Sequence, residues 1–291
     1  MRTIELMLEE EQNYFMREAF NTLRTNILFS GKDIKVIVVT SCLAHEGKST
    51  VSFELARSLA ESGKKVLLVD ADLRKSVMVS RHTKERGIVG LSQVLSGQVE
   101  ADDAIYKTQI ESLDIIFAGP YPPNPTELVG SPEFDAMLKA KRDSYDYLLI
   151  DAPPLGLVID AAVIANVCDG AVIVLNAGKI KYRFAQEIKT QIQRSGCKIL
   201  GVVLNQVGKK SSSSGSYGGY YSSKYSNTYY GYDKAQGTGA KSATTSAKVM
   251  RPATQTASRP VPQNRPADAV RRAPTASNPN TQAPMVRRNK D

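Results

Sequence analysis

Six short runs dominated by aliphatic residues punctuate the first 208 positions, and segments with apolar residues every three or four positions lie between most of them. The runs are Ile34–Ser41, Lys65–Asp72, Leu113–Gly119, Tyr145–Pro153, Gly170–Ala177 and Lys198–Val207. Runs such as IKVIVVTS and KVLLVDAD do not alternate, and so predict strands buried on both faces. The intervening periodicity predicts helices at residues 48–63 and near 131–142, 159–167 and 182–195, with another at about 7–29. Strands alternating with helices imply an α/β fold: a mostly parallel central sheet with helices on both faces. Ligands of such sheets bind outside the carboxyl ends of the strands.

After Val207 the pattern stops. Residues 209–234 hold a serine-rich connector and then SYGGYYSSKYSNTYYGYDK, which carries seven of the thirteen tyrosines and no Leu, Ile, Val or Phe. Residues 235–291 are rich in Ala, Thr, Pro, Ser and Arg. Neither part has the apolar content to build a core, so a disordered tail is expected beyond a folded domain at residues 1–208. The tyrosines are either incidental to a low-complexity, sticky segment or they are substrates. No internal repeat is evident.

Locating the charge changes its meaning. The chain is +9 overall, but residues 209–291 carry 14 Lys or Arg against 3 Asp, which is +11, and residues 1–208 are left at −2. A basic pI therefore does not make the folded part a nucleic-acid binder. Three cysteines (Cys42, Cys168, Cys197) provide neither a disulfide framework nor a CxxC pair, and two histidines are too few for a His-based metal cluster. Reduced, cytoplasmic surroundings are expected. The acidic N-terminus has no signal-peptide pattern, and no window approaches the roughly 20 apolar residues of a membrane span.

The stretch TSCLAHEGKST joins the first strand to a helix. Its ending, Gly47-Lys48-Ser49, is that of a P-loop. Backbone amides and the helix N-terminus cradle phosphate, Lys48 reaches the terminal phosphates, and Ser49 can ligate Mg²⁺. The cradle spans Cys42, Leu43, Ala44, His45, Glu46, Gly47, Lys48, Ser49 and Thr50. Cys42 stands where the usual pattern has its first glycine. LLVDADLR places Asp70 and Asp72 at a second strand end, with Arg74 just beyond, and LLIDAPP places Asp151 at a third. One acidic strand end is commonly a cap or turn residue. Two beside a P-loop point to a Mg²⁺–nucleotide site.

These three motifs, followed by a tyrosine cluster, resemble the bacterial tyrosine kinases (BY-kinases) of capsule and exopolysaccharide biosynthesis, in their short cytoplasmic Gram-positive form. The resemblance covers residues 1 to about 234. It implies a P-loop NTPase fold and ATP-dependent transfer to Tyr217, Tyr220, Tyr221, Tyr225, Tyr229, Tyr230 and Tyr232. Lys48 and Ser49 would bind phosphate and metal, and Asp72 and Asp151 would serve Mg²⁺. Asp70 would accept the phenolic proton, with the roles of Asp70 and Asp72 exchangeable. Arg74 either stabilises equatorial phosphate oxygens or is an ordinary solvated arginine. The family's oligomerisation pattern, E-x2-R-x2-R, reads here as Glu18, Asn21 and Arg24, so one inter-subunit ion pair is in question. Also implied are a ring-like homo-oligomer and a membrane adaptor of polysaccharide co-polymerase type that recruits the chain to the inner face of the membrane. Other tyrosine-phosphorylated proteins are possible further partners.

Loop 121–134 (YPPNPTELVGSPEF) leads to a helix capped by Ser131, and is placed by the resemblance near the site or an interface; a plain surface connection is the alternative. His45 and His82 read as incidental. The main alternative function is a partitioning or division-positioning ATPase, an assembly switch on the same fold. Those carry a second lysine in KGGxGK, where this chain has Leu43. In a third reading the basic tail is the function, docking on acidic lipid or polymer.

Overall fold

A computed structural model describes residues 2–8 and 14–207. The tyrosine cluster and everything C-terminal to it lie outside the described residues. In chain order the elements begin with β1 (Arg2–Thr3), α1 (Tyr14–Leu28), β2 (Val36–Ser41), α2 (Lys48–Glu61), β3 (Val66–Asp70), α3 (Met78–His82) and α4 (Leu91–Leu95). They continue with a short 3₁₀ turn, β4 (Tyr106–Lys107), β5 (Leu113–Ile116), α5 (Pro125–Val129), α6 (Pro132–Arg142) and β6 (Tyr147–Asp151). The last are α7 (Asp160–Ala165), β7 (Gly170–Asn176), α8 (Tyr182–Arg194) and β8 (Lys198–Asn205).

The described strands form one sheet in the order β1-β4-β5-β3-β6-β2-β7-β8, and every pairing is parallel except β4 with β5. Alternate residues of each central strand serve opposite faces. Val38, Leu67, Val69, Leu148 and Ile150 pack with Phe134, Ile164, Ile188 and Ile192 on one side. Ile37, Val39, Leu68 and Leu149 pack with Phe53, Leu55 and Leu59 of α2 on the other. This two-sided burial is why the runs lack alternation.

Three expectations need correction. Residues 4–8 are not helical, so the N-terminal helix, described over Tyr14–Leu28, does not begin near residue 7; Ile4 and Leu6 are instead buried in the core beside the sheet edge. Residues 9–13 lie outside the described set. The last run is not buried on both faces, because β8 is an edge strand with Val202 and Leu204 exposed. The two-residue strands β1 and β4 and the short helices α3 to α5 were not anticipated.

Position matters more than count for the site. β3, β6 and β2 are neighbours, and Asp70 is the direct partner of Asp151 in the β3–β6 register. The parallel arrangement therefore brings the P-loop and both acidic strand ends to one edge of the sheet.

Candidate nucleotide and phosphoryl-transfer site

The loop between β2 and α2 takes its shape from two left-handed residues, His45 at φ 64° and Gly47 at φ 87°. Cys42 is not among the residues in the left-handed region, so glycine is not required there and the departure from the usual pattern is tolerated. Burial, then the nearby Glu46 charge, push the Cys42 thiol up to about 12, so it is a neutral packing group. Gly47 caps α2 without a side-chain hydrogen bond. The first-turn amides of Lys48, Ser49 and Thr50 have no partner within the helix and are left for an anion.

A ring of amides and one carboxylate holds the loop. Glu46 is buried; its Oε2 accepts from the Leu43 amide at 2.7 Å and its Oε1 from the Asn176 amide at 3.1 Å. Asn205 Nδ2 donates to the Glu46 carbonyl at 2.9 Å, and Gln206 Nε2 to the His45 carbonyl at 3.2 Å. Asn176 Nδ2 donates to Gln206 Oε1 at 2.9 Å, which closes the ring. Sequence reading counted Glu46 only as loop backbone and missed Asn176, Asn205 and Gln206. A signal existed: Asn176 and Asn205 each end an apolar strand on the same sheet edge as Asp70 and Asp151.

Lys48 lies at the centre. Its Nζ is 2.9 Å from Asp72 Oδ2, 3.4 Å from Asp151 Oδ2 and 3.2 Å from Ser49 Oγ. Burial alone would lower its proton affinity, but the charges of Asp151 and Asp72 outweigh this and hold it above the ordinary lysine value. Asp151 is fixed from the other side by Ser52, whose hydroxyl donates to Oδ1 at 2.9 Å. Asp70 is fully buried and accepts from the Ser76 hydroxyl and from the Asp72 amide at 3.2 Å. Burial first, then the Asp151 charge, push its carboxyl up to about 7, against the opposing pull of Ser76 and Lys48. Asp70 therefore takes up and releases its proton near neutrality.

The three predicted metal ligands, Ser49, Asp72 and Asp151, converge on the lysine ammonium. A hydroxyl with two carboxylates is a hard oxygen donor set, and it fits Mg²⁺. Among the described residues no group of three or more His, Cys, Asp or Glu forms a cation cage by itself, so phosphate oxygens would complete the coordination. The amide cradle and Lys48 likewise fit a nucleotide's phosphates.

Arg74 is held by a different carboxylate. Its guanidinium makes a paired contact with buried Asp160, at 2.7 Å and 3.1 Å, and donates to Thr126 Oγ1 at 2.8 Å. Arg74 is therefore not an ordinary solvated arginine: its guanidinium is engaged with Asp160 and Thr126, within reach of the Asp72 charge. It ties the loop after β3 to α7 and to α5, which lies within the 121–134 segment. Through Thr126 that segment is joined to the loop after β3, and Ser131 caps α6 as expected. On α1, Glu18 accepts from Asn21 Nδ2 at 3.0 Å, while Arg24 donates to the Ser58 carbonyl at 3.0 Å and binds α1 to α2 within the chain. No helix among the described residues is long and apolar enough to cross a membrane.

A family profile described as an AAA domain matches residues 34–195. The chain is 46% identical over 203 residues to the tyrosine-protein kinase CpsD of Streptococcus agalactiae, covering 70% of this chain and 89% of that one. It superposes on the kinase domain of Escherichia coli tyrosine kinase ETK with TM-score 0.63 and 30% identity, over 69% of this chain and 79% of that one. The septum site-determining protein MinD of Pyrococcus horikoshii, complexed with Mg-ADP, has TM-score 0.53 and 28% identity, over 61% and 72% of the two chains. The division ATPase fold is thus shared, but the longer and closer match is to kinases, in keeping with Leu43 at the signature-lysine position. The P-loop fold, the strand-end carboxylates around Lys48 and the identity to CpsD lead to one assignment: the chain belongs to the bacterial tyrosine-protein kinases of capsule and exopolysaccharide biosynthesis, in their Gram-positive form.

Proposed function

We propose that this tyrosine kinase uses Mg·ATP to phosphorylate its own C-terminal cluster, Tyr217 to Tyr232, on a neighbouring subunit, and so regulates polymerisation and export of a capsular polysaccharide. The observation that supports the reading is the convergence of Lys48 with Asp70, Asp72 and Asp151 beside a preformed anion cradle. Phosphoryl transfer requires mainly positioning and charge neutralisation, and this arrangement supplies both.

The first-turn amides of α2 bind and orient the phosphates. Lys48 exchanges its carboxylate partners for phosphate oxygens. Ser49, Asp72 and Asp151 would hold Mg²⁺, which when bound neutralises charge on the phosphate chain. Asp70 accepts the phenolic proton as the tyrosine oxygen bonds to the γ-phosphorus and the β–γ bridging bond breaks, leaving ADP. A carboxyl with a proton affinity near neutrality suits that task better than Asp72, which lies against Lys48. Ser76, partly exposed and hydrogen-bonded to Asp70, is the group through which the proton reaches the buried carboxylate.

Ring-like self-association through α1 and recruitment to the inner membrane face by a polysaccharide co-polymerase-type adaptor belong to the same proposal. Incubation with Mg·ATP followed by mass spectrometry tests it, with phosphotyrosine expected at residues 217–232. Absence of label in wild-type protein supplied with its host's membrane fraction would overturn it. Mixing inactive Lys48→Met chains with active chains that lack the cluster tests transfer between subunits, and the label is expected on the inactive chain.

A further inference from the structure

Arg81 reaches the cradle from a direction that the strand-end motifs do not mark. It lies in the last turn of α3, and its Nη1 donates to Thr50 Oγ1 at 2.8 Å. Thr50 is the third residue of α2, within the turn whose free amides face the anion. Although α3 is short, it is docked firmly. The His82 ring stacks on Phe53 of α2, with centroids 3.8 Å apart and planes 20° apart. The Met7 amide donates to the His82 carbonyl at 2.7 Å. Ser76, which donates to Asp70, accepts the Met78 amide at 3.1 Å. The guanidinium is therefore held at the mouth of the cradle from both β3 and α2.

Among the described residues no carboxylate forms an ion pair with Arg81, whereas Arg74 is engaged with Asp160. The inner end of the cradle is short of positive charge, because Lys48 is surrounded by Asp70, Asp72 and Asp151. A nucleoside di- or triphosphate brings further negative charge to that place. A planar guanidinium with donors beyond the one used on Thr50 matches the edge of a phosphate group.

We infer that Arg81 is a second phosphate-binding cation of the nucleotide site, acting at the first turn of α2 opposite Lys48. The inference rests on the P-loop being the nucleotide site. It assigns Arg81 a part in binding and charge neutralisation, with no bond made or broken.

The test is isothermal titration of the full-length chain with Mg·ADP and with Mg·AMP-PNP. Arg81→Ala is expected to weaken both by about tenfold, the worth of one charge-assisted hydrogen bond. Arg81→Gln, which keeps a donor for Thr50 but loses the charge, should weaken them nearly as much, and Arg81→Lys should recover part of the loss. The deficit should shrink between 50 mM and 500 mM NaCl, which a purely structural contact would not show. The thermal midpoint of the ligand-free chain should stay unchanged, and phosphotyrosine formation should lose more in kcat/KM than in kcat. Unchanged affinity in Arg81→Ala, beside a Lys48→Met chain that no longer binds, overturns the assignment of Arg81 alone. Failure of wild-type protein to bind Mg·ADP overturns the nucleotide reading with it.

Discussion

A Cβ on residue 47 would lie 2.1 Å from Nδ2 of Asn205, the atom that donates to the Glu46 carbonyl. Glycine is thus required twice at this position, once by the left-handed backbone and once by an amide that occupies the side-chain space. Gly47→Ala is expected to push Asn205 out of its bond, cost about 1–3 kcal/mol of stability, and weaken Mg·ADP binding at least tenfold. Chemical denaturation and calorimetric titration measure the two effects. Wild-type affinity in Gly47→Ala would show that the amide ring does not shape the cradle.

Lys48 has two functions in the ligand-free protein: it awaits phosphate and it neutralises two carboxylates. Lys48→Met removes the cation and leaves Asp72 and Asp151 facing each other without it. Besides abolishing phosphotyrosine formation, the substitution should cost about 3 kcal/mol, the scale for breaking a buried ion pair. The carboxylates would then hold protons more strongly in the folded state than in the unfolded chain. Their repulsion is relieved by acid, so the destabilisation should be smaller at pH 5 than at pH 8. Denaturation midpoints of both proteins at the two pH values decide this; an equal deficit would refute the coupling.

Much of this site can be read in the sequence because its acids end apolar strands, and chain order alone brings parallel strand ends to one edge. Asp70, Asp72 and Asp151 were visible for that reason. The amide ring was not, because Glu46, Asn176 and the Asn205–Gln206 pair are far apart in the chain and act largely on backbone groups; the strand-end positions of Asn176 and Asn205 were the one trace of it. Arg74 and Arg81 show a different limit. Both lie between β3 and α4, and only packing reveals that one is committed to Asp160 while the other reaches Thr50. In the fold, two-residue strands such as β1 and β4 are too short to carry a period, and the exposure of β8 depends on its place at the sheet edge.

Ser76 links proton transfer to the rest of the loop after β3. Its hydroxyl donates to Asp70 and lowers that carboxyl's proton affinity, against burial and the Asp151 charge. Ser76→Ala should therefore raise the Asp70 pKa. A base must be unprotonated to act, so the acid limb of the kcat profile should move to higher pH. Activity at pH 6.5 should fall several-fold, with a smaller loss at pH 8.5. A uniform loss at every pH would assign Ser76 a packing role instead.

His82 makes stability sensitive to acid at a point away from the chemistry. Its ring stacks on Phe53, and burial, then the neighbouring Arg81 charge, hold its pKa down to about 4 from an ordinary 6.5. The folded-state value is depressed, so the unfolded chain binds the proton more readily between those two values. The stacking contribution is therefore complete above pH 6.5 and is lost progressively as pH falls toward 4. Because the ring is only partly buried and solvent screens it, about 1–2 kcal/mol is expected. His82→Phe keeps an aromatic ring on Phe53 and removes the titration. Between pH 6.5 and 4.5 its stability should fall by about that amount less than wild type's, although the Arg81–Thr50 contact is carried by the same helix. Parallel curves for the two proteins over this window would mean that His82 does not titrate there.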